Sequence, residues 1–162
     1  MKKKILTGVL LTVLSLGIFS CGPKAKENPT GETPKSMLGD MTEEEKMLAE
    51  GRGLGEVKSV TLTNPLDASR IARGQAIYDM KCAACHKLDS ARLVGPGWAG
   101  LTKTRKPEWI MNMITNVDVM LDKDPEAQKL LALCLTRMPN QNVSIGDARD
   151  ILEFMRSNDG EE

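Results

Sequence analysis

The sequence predicts an all-α domain. Three observations predict it. From Asn64 onward the apolar residues recur with a helical period, good helix-starting residues stand before each run, and no segment alternates as a half-buried strand would. About four short helices follow. Asp67 is the N-cap of the first, which runs to about Lys81 with Ile71, Gly74, Ile77 and Tyr78 on one face. Pro107 takes the first position of the second, which carries Ile110, Met113, Ile114 and Val117. Asp124-Pro125-Glu126 opens the third, with Leu130, Leu131 and Cys134 facing inward. Ser144-Ile145-Gly146-Asp147 has the form of a capping box and opens the last, with Ile151, Leu152, Phe154 and Met155.

The first 58 residues read differently. Met1-Lys2-Lys3-Lys4 is basic, and Ile5 to Phe19 is an apolar run. As a helix that run rises about 22 Å, short of the roughly 30 Å hydrocarbon core, so residues 1–20 predict an export leader and not a spanning helix. Ile18-Phe19-Ser20-Cys21 ends it and resembles a bacterial lipoprotein leader, which implies that Cys21 is lipidated and that the protein is held on the periplasmic side of a membrane. Residues 21–58 read as a flexible linker rich in Pro, Lys, Glu and Gly, with one short helix at 42–50 started by Thr42. The compact domain then spans 59–162.

Composition narrows the function. The 162 residues carry 22 Lys+Arg and 22 Asp+Glu, so the basic footprint of a nucleic-acid binder is absent. A single histidine, His86, rules out multi-His metal sites. Aromatics are 3% of the chain, thin filling for a domain with long loops, and a large planar cofactor at its centre would supply what the side chains lack.

The chemistry is concentrated in Cys82-Ala83-Ala84-Cys85-His86. Cys-x-x-Cys-His is the attachment signature of c-type haem: two thiols one helical turn apart span a porphyrin edge, and the next residue offers its imidazole to the iron. A thioredoxin-like dithiol needs a βαβ context, and a zinc site needs further Cys or His nearby; the sequence supplies neither.

With its flanks, this half of the chain resembles the class I monohaem c-type cytochromes, from about Asp67 to Ser157. Gly74-Gln75-Ala76-Ile77-Tyr78 looks like that family's N-terminal helix, whose glycine admits a C-terminal helix bearing an aromatic, here Phe154. Val94-Gly95-Pro96-Gly97-Trp98-Ala99-Gly100-Leu101 looks like the loop after the haem peptide, and the resemblance implies that the Pro96 carbonyl accepts the second ring N–H of His86. Met138-Pro139 matches the distal-ligand dipeptide. The implied set is Cys82 and Cys85 as covalent thioethers of one haem c, with His86 and Met138 on its iron. Tyr78, Pro96 and Trp98 support it.

Methionine is common in this chain, so Met138 has competitors. Met80 lies on the His86 side, Met111 and Met113 fall within a predicted helix, and Met120 follows a helix end as the alternative ligand. Met138 stands in a loop stiffened by Pro139. Trp98, Trp109 and Asn140 read either as pocket-lining or propionate-bonding groups or as ordinary core. Cys134 reads as a small buried hydrophobe.

A closed His/Met site leaves no open position for a small-molecule substrate, so the expected function is one-electron transfer and not catalysis. Expected partners are a quinol-oxidising donor and a terminal reductase or oxidase acceptor, met through a small apolar patch and not a broad basic ring. A fixed subunit of a larger complex, or a haem enzyme or gas sensor with an open distal site, are the alternatives. Lys106-Pro107-Glu108-Trp109-Ile110-Met111-Asn112-Met113-Ile114 and Cys134-Leu135-Thr136-Arg137-Met138-Pro139-Asn140-Gln141 resemble lipoprotein cytochromes that accompany nitrous oxide reductase.

Overall fold

Seven helices follow one another in the computed structural model, which describes residues 41–162. They are α1 (Glu43–Ala49), α2 (Ala68–Lys81), α3 (Leu101–Thr104), α4 (Pro107–Thr115), α5 (Val117–Lys123), α6 (Pro125–Cys134) and α7 (Ile145–Asn158). The leader, Cys21 and the linker as far as residue 40 lie outside the described residues. The class is all-α as expected, and the only β-pairing among the described residues is an isolated bridge between His86 and Arg92.

The four predicted helices are α2, α4, α6 and α7, and their caps explain their starts. The Asp67 carboxylate accepts the amides of Ser69 and Arg70, Asp124 those of Glu126 and Ala127, and the Ser144 hydroxyl that of Asp147. α1 is the short helix expected at 42–50, and two unexpected ones, α3 and α5, bring the total among the described residues to seven. Each of them has seven residues or fewer, too short to show a period. Thr42 and Glu45 cap α1 reciprocally, each side chain taking the other's backbone amide. The helix expected to carry Val117 ends instead at Thr115. Asn116 leaves the helical backbone there and donates its side-chain Nδ2 to the Leu54 carbonyl (3.0 Å), and α5 starts afresh.

The expected domain boundary at residue 59 needs correction. Residues 42–58 are built into the fold. Met47 is fully buried, and Leu54 and Val57 join the main core. The fully buried side chain of Asn112 accepts from the Val57 amide (3.1 Å) and donates to the carbonyls of Arg52 and Val57. The Leu54 amide donates to Met120 Sδ (3.0 Å). Gly and charged residues make this segment look like linker in sequence, but its backbone groups are satisfied by α4 and α5.

The tightest packing is between α2 and α7. A Cβ on Gly74 would fall 2.1 Å from the Asp150 carbonyl oxygen and 2.9 Å from Phe154 Cβ, so only glycine permits the crossing. Arg70 and Arg73 of α2 both bind the Asp150 carboxylate, and the Arg73 hydrogen bond leads in holding its pKa below the ordinary value. Deeper in α7, fully buried Glu153 accepts from the Thr63 hydroxyl, the Asp67 amide, Arg149 and Arg156. Asp159, just past α7, accepts the amides of Gly100 and Thr102 and so caps α3, whose own N-cap glycine has no side chain to do it. These bonds fasten both the N-terminal segment and the loop after residue 86 to one helix.

Candidate functional site

At the end of α2 the chain turns tightly. The Cys82 amide donates to the Tyr78 carbonyl, and those of Cys85 and His86 both donate to the Cys82 carbonyl (3.0 and 2.9 Å). This extra turn carries the Cys-x-x-Cys-His segment. Burial pushes the Cys82 thiol up to about 11, against the opposing charge of Lys81. A redox-active dithiol needs the opposite shift, so the geometry disfavours thioredoxin-like chemistry.

His86 is held from three sides. Its Nδ1 lies 2.9 Å from the Pro96 carbonyl oxygen, its own carbonyl accepts the Tyr78 hydroxyl (2.7 Å), and its ring sits 5.8 Å from that of Trp98. A carbonyl can only accept, so Nδ1 carries the proton and Nε2 keeps its lone pair. The loop hugs the ring: a Cβ on Gly95 would meet His86 Cε1 at 2.3 Å. Tyr78 stacks at a tilt on both Trp98 and Phe154, with centroids 4.8 and 5.6 Å away.

A cavity of about 400 Å³ opens beside this imidazole. Cys85, His86, Val94, Gly95, Pro96 and Trp98 form one part of its wall, and α4 adds Trp109, Ile110, Met113 and Ile114. Leu121, Leu130, Leu131, Cys134 and Met155 continue it, and the loop after α6 completes it with Thr136, Arg137, Met138 and Pro139. The lining is overwhelmingly apolar, which suits a flat macrocycle and not a charged substrate.

The structure sorts the predicted residues. Cys85, His86, Pro96, Trp98 and Met138 line the cavity; Cys82 is half-buried against the core, and Tyr78 stands behind His86. Met120 does not line it. It is fully buried, and its sulfur accepts from Leu54. Met80 is 78% exposed on α2 and Met111 is buried outside the lining; of the four competitors weighed only Met113 is in the wall, where Met155 of α7 joins it. Trp109 is in the wall too, but its Nε1 donates to buried Asp124 (3.1 Å). Asn140 is exposed and accepts from the Asn142 amide, outside the lining. Cys134 is half-buried and faces the cavity, where the sequence suggested plain core. Met155 went unnoticed as a wall residue because its spacing from Ile151 and Leu152 marks it only as core.

The family model for cytochrome c matches residues 71–159, more than half the chain. The chain belongs to the cytochrome c family. A cytochrome c from Rhodothermus marinus is similar in structure, with 34% identity and a TM-score of 0.65 over 70% of this chain and 96% of that one. An engineered form of that protein, Rma TDE, matches at 33% identity and TM-score 0.64 with the same coverage. The same engineered form bound to a carbene intermediate matches at 32% and 0.61, again with that coverage. No curated protein matches the chain. A cytochrome c carries covalently bound haem c with its iron and exchanges electrons with redox partner proteins, and its domain is typically exported. The residues present fit that group: a deep apolar cavity, an imidazole with a free Nε2, and a glycine where any side chain would displace the ring. No helix among the described residues is long and apolar enough to cross a membrane.

Proposed function

We propose that this cytochrome c is a one-electron carrier in which Cys82 and Cys85 would hold one haem as thioethers and His86 and Met138 would bind its iron. The observation that carries the reading is that His86, held with Nε2 free, and Met138, in a loop with no helix to pack it elsewhere, line the same apolar cavity. When bound, the haem supplies reversible ferric–ferrous exchange. The chain does the rest. Pro96 fixes the His86 tautomer and raises its basicity, Met138 offers a soft thioether that favours the reduced state, and the aliphatic wall keeps water out.

Access fits an outer-sphere carrier. Val94, in the wall, is 43% exposed beside Leu93, and Leu133 and Leu135 are 67% and 86% exposed at the end of α6. The Arg92 guanidinium donates to the Leu133 carbonyl (2.6 Å) and so draws the two apolar pairs together. Without its three leader lysines the chain is slightly acidic, so this patch, and not a basic ring, is the surface for partners.

The leader and Cys21 support export and lipid anchoring on the periplasmic side of a bacterial membrane, with 21–40 as the linker. In that place the carrier passes electrons from a quinol-oxidising donor to a terminal reductase or oxidase. The sequence likeness around α4 and Met138 points to a nitrous oxide reductase.

The test is spectroscopic. The reduced holoprotein should show a low-spin c-haem spectrum and take up no carbon monoxide at neutral pH. Met138→Ala should lower the potential and abolish the weak long-wavelength band of thioether–ferric ligation. Rapid carbon monoxide binding by the parent would favour an open distal site. Retention of the band in the variant would move the ligand to one of the other wall methionines, Met113 or Met155.

A further inference from the structure

The loop that carries Met138 has little of its own to hold it. Among the described residues, no backbone–backbone hydrogen bond outside the helices involves Thr136 to Val143. Within the loop, only the Asn140 side chain accepts an amide, that of Asn142. Yet the loop, and the helix turn that feeds it, are tied to the segment that carries Cys82, Cys85 and His86. In the last turn of α6, just before the loop, Arg92 Nη1 donates to the Leu133 carbonyl (2.6 Å). At the loop's end, Lys81 Nζ donates to the Gln141 carbonyl (3.0 Å). Lys81 immediately precedes Cys82, and Arg92 pairs with His86 across the isolated β-bridge.

Both donors are cations aimed at neutral backbone oxygens, and neither has a carboxylate partner among the described residues. A charge-assisted bond to a loop lacking a ladder is where such a contact matters most. Arg137, next to Met138, has a different tie, to Asp122 on α5 (3.0 Å), which does not involve the Cys82–His86 side.

We propose that Lys81 and Arg92 are positioning residues for Met138: together they latch the distal loop to the Cys82–His86 segment and keep the sixth coordination position closed. The proposal rests on Met138 being the distal ligand. Opening the loop exposes that position to outside ligands, so the latch sets how often the site is open and thereby the apparent affinity for an intruder. Two exposed charge-assisted bonds shift that equilibrium by about ten-fold together.

The experiment uses the full ferric holoprotein and imidazole as the probe, followed by loss of the long-wavelength thioether band. The Lys81→Gln/Arg92→Gln double variant should keep the band but take up imidazole with about ten-fold tighter apparent affinity. Lys81→Arg, which keeps a cationic donor, should behave as the parent. Lys103→Gln, which removes one exposed cation on α3 outside the latch, should also behave as the parent. A double variant with the parent's affinity would overturn the latch while leaving Met138 as ligand, and so would an equal effect from Lys103→Gln. A parent with no thioether band would remove the ligand assignment and the latch together.

Discussion

His86 and Pro96 are joined by a single contact, Nδ1 to carbonyl oxygen at 2.9 Å, and the loop between Cys85 and Trp98 is folded to make it. The Gly95 amide donates to the Cys85 carbonyl and the Trp98 amide to the Lys87 carbonyl (both 2.9 Å), so the loop closes on itself around the ring. Gly95→Ala puts a methyl 2.3 Å from His86 Cε1. The ring must move and its bond to Pro96 weaken. Such overpacking costs about 1–3 kcal/mol, and a less basic imidazole raises the reduction potential. Denaturant titration and spectroelectrochemistry of the variant read both effects; an unchanged potential would mean that the Pro96 contact does not tune the site.

The α2–α7 crossing predicts a larger loss. In Gly74→Ala the new methyl meets the Asp150 carbonyl at 2.1 Å, and backbone in the middle of a helix gives way less readily than a side-chain tip. Stability should fall by about 3 kcal/mol or more. Because α7 also supplies Met155 to the cavity wall, haem retention on heating should fall with it. A urea midpoint within error of the parent would show that the helices can slide apart freely.

Glu153 predicts a pH dependence. Burial alone would raise its pKa, but the Thr63 hydroxyl, Arg149 and the Asp67 amide outweigh it and hold the carboxyl at about 2, below the ordinary 4.5. A carboxyl lowered on folding stabilises the native state fully above its unfolded pKa. That contribution is lost as pH falls from about 4.5 through about 2. Glu153→Gln should therefore destabilise the protein by about 2–4 kcal/mol at neutral pH and flatten its stability curve on the acid side. Equal acid sensitivity in parent and variant would assign the effect to other carboxyls.

Asn112 predicts a local effect. Its three bonds to Arg52 and Val57 hold the N-terminal segment on α4, so Asn112→Ala should cost about 2–3 kcal/mol. Amide exchange across residues 47–57 should quicken more than in α2 and α7. Uniform quickening would mean that the segment is not a separate unit.

What could be read from sequence follows from how local each signal is. Asp67, Asp124 and Ser144 cap within three residues, so their helices were visible before any tertiary contact was known. Cys82, Cys85 and His86 are likewise adjacent, and their chemistry was plain. The docking of 42–58 was hidden because its partners, Asn112, Asn116 and Met120, lie more than fifty residues away, and a polar side chain inside a helix does not announce that it is reserved for another segment's backbone. The same distance concealed why Met120 is no rival to Met138. Trp109 reads in sequence either as a pocket group or as core; it lines the cavity, and only its N–H is spoken for, by Asp124. The latch of Lys81 and Arg92 is equally non-local, since exposed cations carry no periodic signal.

Every property proposed for this protein depends on one haem being covalently fixed at Cys82 and Cys85. Mass spectrometry of proteolysed holoprotein matured in its native host tests it most directly. A single haem adduct on the peptide containing both cysteines, with Cys134 unmodified, is the predicted result; an unmodified Cys82–His86 peptide, or haem on another residue, would contradict it.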